Sequence, residues 1–126
     1  MLQALDGGAQ PPLGPLSRAV VVDDWVFVAG TIGTLDDGTL PPSVEEQTAQ
    51  TLENIRSHLE AGGLSLDDLV SLTVYITRRE AYGAMNAAYA RYFAEPFPAR
   101  ATVVCDLVHD DHLVEISAVA KRGARG

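Results

Sequence analysis

Phe97-Pro98-Ala99-Arg100-Ala101-Thr102-Val103-Val104 and His112-Leu113-Val114-Glu115-Ile116-Ser117-Ala118 are the stretches whose reading decides the fold. Both have the look of half-buried strands, with apolar residues interrupted by small or polar ones. The polar run His109-Asp110-Asp111-His112 between them reads as a hairpin turn. One guanidinium stands at the mouth of the first strand and one carboxylate among the apolar residues of the second. The planar fork of Arg100 matches the oxygen spacing of a small carboxylate. Its bland alternative is a structural ion pair with Glu115 at a subunit boundary. A buried Glu115 needs a partner, a water or a proton; its alternative is a carboxylate on a solvated face. Anchor and acid together point to chemistry on a small organic acid.

Working outward, the residues between Tyr82 and Phe93 put Tyr82, Met85, Tyr89 and Tyr92 or Phe93 on one helical stripe, read mainly as core. Thr77-Arg78-Arg79-Glu80 is a candidate capping box for that helix, and Pro96 and Pro98 end it. Leu69 to Ile76 is a strand candidate. Ser43-Val44-Glu45-Glu46 predicts a second capping box, followed by a helix whose inner face is Val44, Thr48, Leu52, Ile55 and Leu59. Gly62-Gly63 stop it. Asp36-Asp37-Gly38 is a turn, and Arg18 to Val22 with Trp25 to Gly30 form a hairpin of buried strands. Glycines and prolines up to Pro15 predict an irregular surface arm over residues 1–17. The order β-β-α-β-α-β-β is an α+β layer with both helices on one face of a mixed sheet. An apolar sheet face left uncovered would be closed by self-association.

The chain has 126 residues, enough for one independently folding domain. Its net charge of −8 repels phosphate backbones, and the only basic cluster is Lys121, Arg122 and Arg125, so nucleic acid is not an expected partner. A lone Cys105 cannot form an intrachain disulfide and reads as a small buried filler in a protein of a reducing compartment. No apolar run approaches the ~20 residues that span a bilayer, and the first residues do not resemble a signal peptide; a cytoplasmic protein without membrane contact is expected. His58 reads as a surface helix residue without a partner. His109 to His112 is a turn rather than a metal site, since no further ligands are placed nearby. Gly30-Thr31-Ile32-Gly33 is too short for a phosphate loop.

A set of motifs then occurs in one order: Gly14-Pro15-Leu16-Ser17, Val26-Phe27-Val28-Ala29-Gly30-Thr31-Ile32, Glu45-Glu46-Gln47-Thr48, Leu52-Glu53-Asn54-Ile55, Met85-Asn86-Ala87-Ala88-Tyr89, Pro98-Ala99-Arg100-Ala101-Thr102 and Val114-Glu115-Ile116. Together they resemble the RidA/YjgF family, also known by the older name endoribonuclease L-PSP. The resemblance covers roughly residues 14 to 120. It implies a single domain over 1–126, with residues 1–13 as an irregular arm. It further implies a chorismate-mutase-like fold assembled as a homotrimer, with a barrel-like core of sheets, helices outside and clefts between subunits. The implied activity is that of a 2-iminobutanoate/2-iminopropanoate deaminase-like hydrolase. Such enzymes convert reactive enamines and imines, such as 2-aminoacrylate, to 2-oxo acids and ammonia, with no metal or organic cofactor.

By the same resemblance, Arg100 matches the arginine that holds the substrate carboxylate and Glu115 the glutamate that orients or activates water. Gly30, with Thr31 beside it, matches the pocket-lining segment, Thr102 stands where many members have cysteine, and Asn86 matches an asparagine near the cleft. Leu16 departs from the tyrosine that usually closes over the substrate, and Ala29 replaces a common serine. Leu16 therefore keeps open a non-catalytic member that binds a small carboxylate or acts as an interaction protein. The acidic surface argues against the ribonuclease of the older name.

Overall fold

The computed structural model describes residues 2–126, and these build a mixed six-stranded sheet with both helices on one side. In chain order the elements are β1 (Gln3–Leu5), β2 (Ala19–Val22), β3 (Trp25–Thr31), α1 (Val44–Glu60), β4 (Leu69–Ile76), α2 (Tyr82–Ala90), β5 (Ala99–Val104) and β6 (Val114–Lys121). The sheet order is β1-β2-β3-β6-β4-β5, antiparallel except for the parallel β4–β5 pair.

That order corrects the expected terminal hairpin. Strand β4 lies between β5 and β6, so residues 105–113 cross over it rather than turn back beside it. The parallel pair β4–β5 is joined through α2, the long connection that parallel neighbours require. Alternation in the sequence shows that a strand is half-buried, but not which strand it neighbours.

Side-chain parity divides the sheet cleanly. Leu72, Val74 and Ile76 of β4 and Val114, Ile116, Ala118 and Ala120 of β6 are buried beneath the helices. On the other face Trp25, Phe27 and Val103 are 40%, 46% and 41% exposed, and no element among the described residues covers them. This is the open apolar face expected from placing both helices on one side.

Helix α1 follows its periodicity. Val44, Thr48, Leu52, Ile55 and Leu59 are all buried, and burying each of the large apolar ones contributes about 1.5–3 kcal/mol. Its expected capping box forms by half. The Glu46 amide donates to the Ser43 hydroxyl at 3.1 Å, while the Glu46 carboxylate takes the Ser43 hydroxyl, not its amide. Beyond the helix Gly63 adopts φ +77°, the left-handed geometry that ends it. The predicted box at Thr77–Glu80 is absent: Arg79–Ala81 is a 3-10 turn without a side-chain cap, and α2 begins at Tyr82. Met85 and Tyr89 are core as expected, whereas Tyr82 is exposed and Tyr92 and Phe93 lie past the helix end.

Two side-chain amides of α1, Gln47 buried and Asn54 half-buried, hold the loops. Gln47 donates to the carbonyls of Pro41 and Asp111, at 2.9 and 3.1 Å, and accepts from the Leu113 amide at 3.0 Å. Asn54 donates to the Ile32 and Thr34 carbonyls, both at 2.9 Å.

The arm is less irregular than expected. Gln3–Leu5 pair with Ala19–Val21 as a short edge strand, while Met1 lies outside the described residues. His58 is also misread as a surface residue: it is buried, and its Nδ1 accepts from the Gly7 amide at 3.0 Å. Asp6, itself paired with Arg18 at 3.0 Å, lies 3.9 Å from that nitrogen. Burial pushes the His58 pKa down; Asp6 opposes the shift and Arg18 adds to it. The unfolded chain therefore takes up the proton first. The stability held by neutral His58 is complete above about pH 6.5 and is lost as pH falls toward the lower folded value. Thermal melts between about pH 7 and pH 5 are expected to show a steeper fall for the wild type than for His58→Gln. Parallel curves would refute the arm contact as a titrating one.

Candidate functional site

The parity of β4, β5 and β6 decides where the candidate residues go. Arg100 pairs with Leu72 and Thr102 with Val74, so both belong to the helix-covered face. Glu115 pairs with Tyr75 and belongs to the open face. Within one chain the anchor and the acid are on opposite sides of the sheet. They do not come from adjoining strands as expected, since β4 separates β5 from β6, and one chain alone neither brings them together nor pairs them. Among the described residues Arg100 has no carboxylate within salt-bridge distance.

Arg100 is held by α2. Its Nη2 donates to the Tyr82 hydroxyl at 3.1 Å, and its Nη1 lies 3.9 Å from the Met85 sulfur. The guanidinium carbon sits 4.8 Å from the Tyr89 ring centre and 5.7 Å from that of Tyr82. Cation–π contact of this kind fixes the plane of the fork without neutralising its charge. Tyr89 packs against Phe93, and its buried hydroxyl has no partner among the described residues. Asn86, half-buried one turn beyond Tyr82, completes the group. Thr102 lies two residues along the same row as Arg100.

A second group lies across the sheet. Between Val28 and Thr31 the β3–β6 register shifts, an irregularity of the sort that re-aims side chains near functional sites. Gly30 falls within it, and a Cβ there would overlap the Glu115 carboxylate. Thr31 turns its hydroxyl onto the Ala29 carbonyl at 2.8 Å. Gly30, Tyr75, Cys105, Glu115, Ser117 and residues 106–108 line an open cleft of about 310 Å³. Burial alone raises the pKa of Glu115, and Arg100, on the other face, exerts no opposing pull. Cys105 is half-buried at the rim of this cleft rather than a core filler. Leu16 does not line it; half-exposed, it sits in a tight turn of the arm whose amide donates to the Gly14 carbonyl at 2.8 Å.

Sequence reasoning missed Tyr82 and Tyr89 as the platform for Arg100, and Tyr75 as a wall of the Glu115 cleft. A signal for each existed. Tyr82, Asn86 and Tyr89 recur at helical spacing, and Tyr75 is out of phase with the buried Leu72, Val74 and Ile76.

Sheet order and helix placement are those of the RidA-like α+β fold. RidA from the Antarctic bacterium Psychrobacter aligns with TM-score 0.88 and 30% identity, covering 94% of this chain and 98% of that one. Escherichia coli TdcF, solved with bound serine, aligns with TM-score 0.88 and 29% identity, covering 96% and 99%. A RutC family protein of Pyrococcus horikoshii is 40% identical over 115 residues, covering 89% of this chain and 90% of the relative. The sequence profile of the family described as Endoribonuclease L-PSP matches residues 7–122. The chain belongs to that family, which is the RidA/YjgF family.

The raised pKa of Glu115 has a consequence for stability. Its folded form keeps a proton that the unfolded chain has already released, so stability falls as pH rises from the ordinary glutamate value through the folded one. Glu115→Gln is expected to melt higher than the wild type at about pH 8 and equally at about pH 4. Calorimetry at both values checks this.

Proposed function

We propose that the chain is an enamine/imine deaminase that hydrolyses small 2-aminoacrylate-like imino acids to 2-oxo acids and ammonia. The observation that carries the reading is a half-buried guanidinium, held against Tyr82 and Tyr89, with no carboxylate of its own chain to neutralise it. Such a group matches a small carboxylate in shape and charge. The serine in the solved TdcF is a ligand of that class.

The chemistry asks little of the site. The enamine shifts its double bond to become an imine, water adds to the imine carbon, and the carbinolamine expels ammonia to leave the carbonyl. Arg100 orients the acid end. Glu115 takes a proton from the attacking water and returns one to the departing nitrogen, a role suited to a carboxyl whose pKa burial has raised. Gly30 leaves room for that carboxyl, and Thr31, Thr102 and Asn86 line the two halves.

Because the two groups occupy opposite faces, a complete site takes Arg100 from one copy and Glu115 from another. A homotrimer closed over the open sheet face, with clefts between subunits, supplies that arrangement. A cytoplasmic setting fits the single cysteine. Leu16, in place of a ring-bearing residue, favours a second reading: a carboxylate-binding protein without turnover. The net charge of −8 disfavours RNA as substrate.

Imines generated in place by an amino-acid oxidase and followed by semicarbazide trapping separate the readings. Wild-type protein is expected to suppress semicarbazone formation, and Arg100→Ala to lose at least about 100-fold in kcat/KM while keeping its assembly, as loss of a charge-assisted anchor implies. Full activity in Arg100→Ala would refute the assignment; no activity in the wild type would leave the binding reading. Arg100→Ala and Glu115→Ala, each inactive alone, are expected to recover about a quarter of wild-type activity when co-expressed in equal amounts, since one cyclic interface in four then carries both groups. No recovery would refute the shared site.

A further inference from the structure

The Tyr82 hydroxyl stands beside Arg100 and is used by no step above. It is 46% exposed, at the start of α2, and it accepts from the Arg100 Nη2 at 3.1 Å. The side chain of Asn86, one helical turn on, neighbours the phenol and favours its ionised form. A tyrosine hydroxyl has two acceptor lone pairs and one proton. With Arg100 donating to the oxygen, the phenol's own proton is left as the free function at the exposed start of the helix.

We propose that Tyr82 is a ligand-contacting residue of the Arg100 site: its oxygen accepts from Arg100, and its proton donates to the carboxylate that Arg100 holds. The proposal rests on the reading of Arg100 as a carboxylate anchor and extends it to the selection of the ligand. Three donors in one corner, the fork of Arg100 and the phenol, favour a planar anion over a neutral amide or ester of the same shape. A neutral carbonyl head group satisfies fewer of them, and its amide N–H would meet another donor. The groups neighbouring the phenol agree with this. Asn86 first, and Arg100 second, hold its ionisation below the usual tyrosine range, which makes it a better donor. Once ionised, it can no longer donate, and it repels the ligand.

The test is calorimetric titration of the assembled wild-type protein, Tyr82→Phe and Arg100→Ala with pyruvate and with pyruvamide. Tyr82→Phe removes one oxygen from an exposed ring, so folding and assembly are expected to be unchanged. Pyruvate binding to Tyr82→Phe is expected to weaken about tenfold, equivalent to about 1.4 kcal/mol, with pyruvamide unaffected. Wild-type affinity for pyruvate is expected to fall at alkaline pH below the ordinary tyrosine value of about 10, and Tyr82→Phe to lack that limb. A Tyr82→Phe protein that binds pyruvate as tightly as wild type and keeps the alkaline limb overturns the role of Tyr82 and leaves Arg100 as anchor. Wild-type and Arg100→Ala proteins that are equally indifferent to pyruvate overturn the anchor and, with it, this proposal.

Discussion

Pairing β5 in parallel with β4 is the constraint from which the arrangement of the site follows. A parallel neighbour must be reached by a long connection, here the one that contains α2, and that connection leaves α2 lying over the strand it delivers. The tyrosines of the helix are thereby set against the guanidinium of the strand. The chain must then pass over β4 to find a place for β6. Because side chains alternate along every strand, an anchor that faces the helices and an acid that faces away cannot meet in one copy.

Polar groups inside α1 make that path affordable to the backbone. Gln47 uses both amide hydrogens and its carbonyl oxygen on the loop before α1 and the crossing segment ahead of β6. Asn54 does the same for the segment leaving β3, with its own oxygen accepting from Gln50 at 2.9 Å. Buried amides cost heavily when left unpaired and little when fully bonded. Each thus selects one loop conformation, and the segment leaving the Gly30 bulge and the crossing segment just before β6 are held in place from inside the helix layer.

Much of the architecture is legible in the residues. The limits of β4 follow from Leu69 to Ile76, and the buried face of α1 from spacing alone. The uncovered sheet face follows from counting helices. Sheet order was not legible, because alternation is a local property and strand neighbours are chosen by distant contacts. Leu5 and its neighbours hide a strand in a glycine- and proline-rich arm. His58 hides a partner 51 residues away in sequence. Arg100 and Glu115 stood out by chemistry. Their separation by the thickness of the sheet depended on the order that the sequence did not reveal.

Residues 105–113 touch both concerns of the molecule while belonging to no regular element. They form the rim of the Glu115 cleft at one end and are tied to α1 by Gln47 at the other. Length or side-chain changes confined to Asp106, Leu107 and Val108 would reshape the opening without disturbing the helix anchor or the bulge. The fold therefore sets Arg100 apart from the segment that shapes the opening of the cleft, and leaves the latter open to evolutionary adjustment.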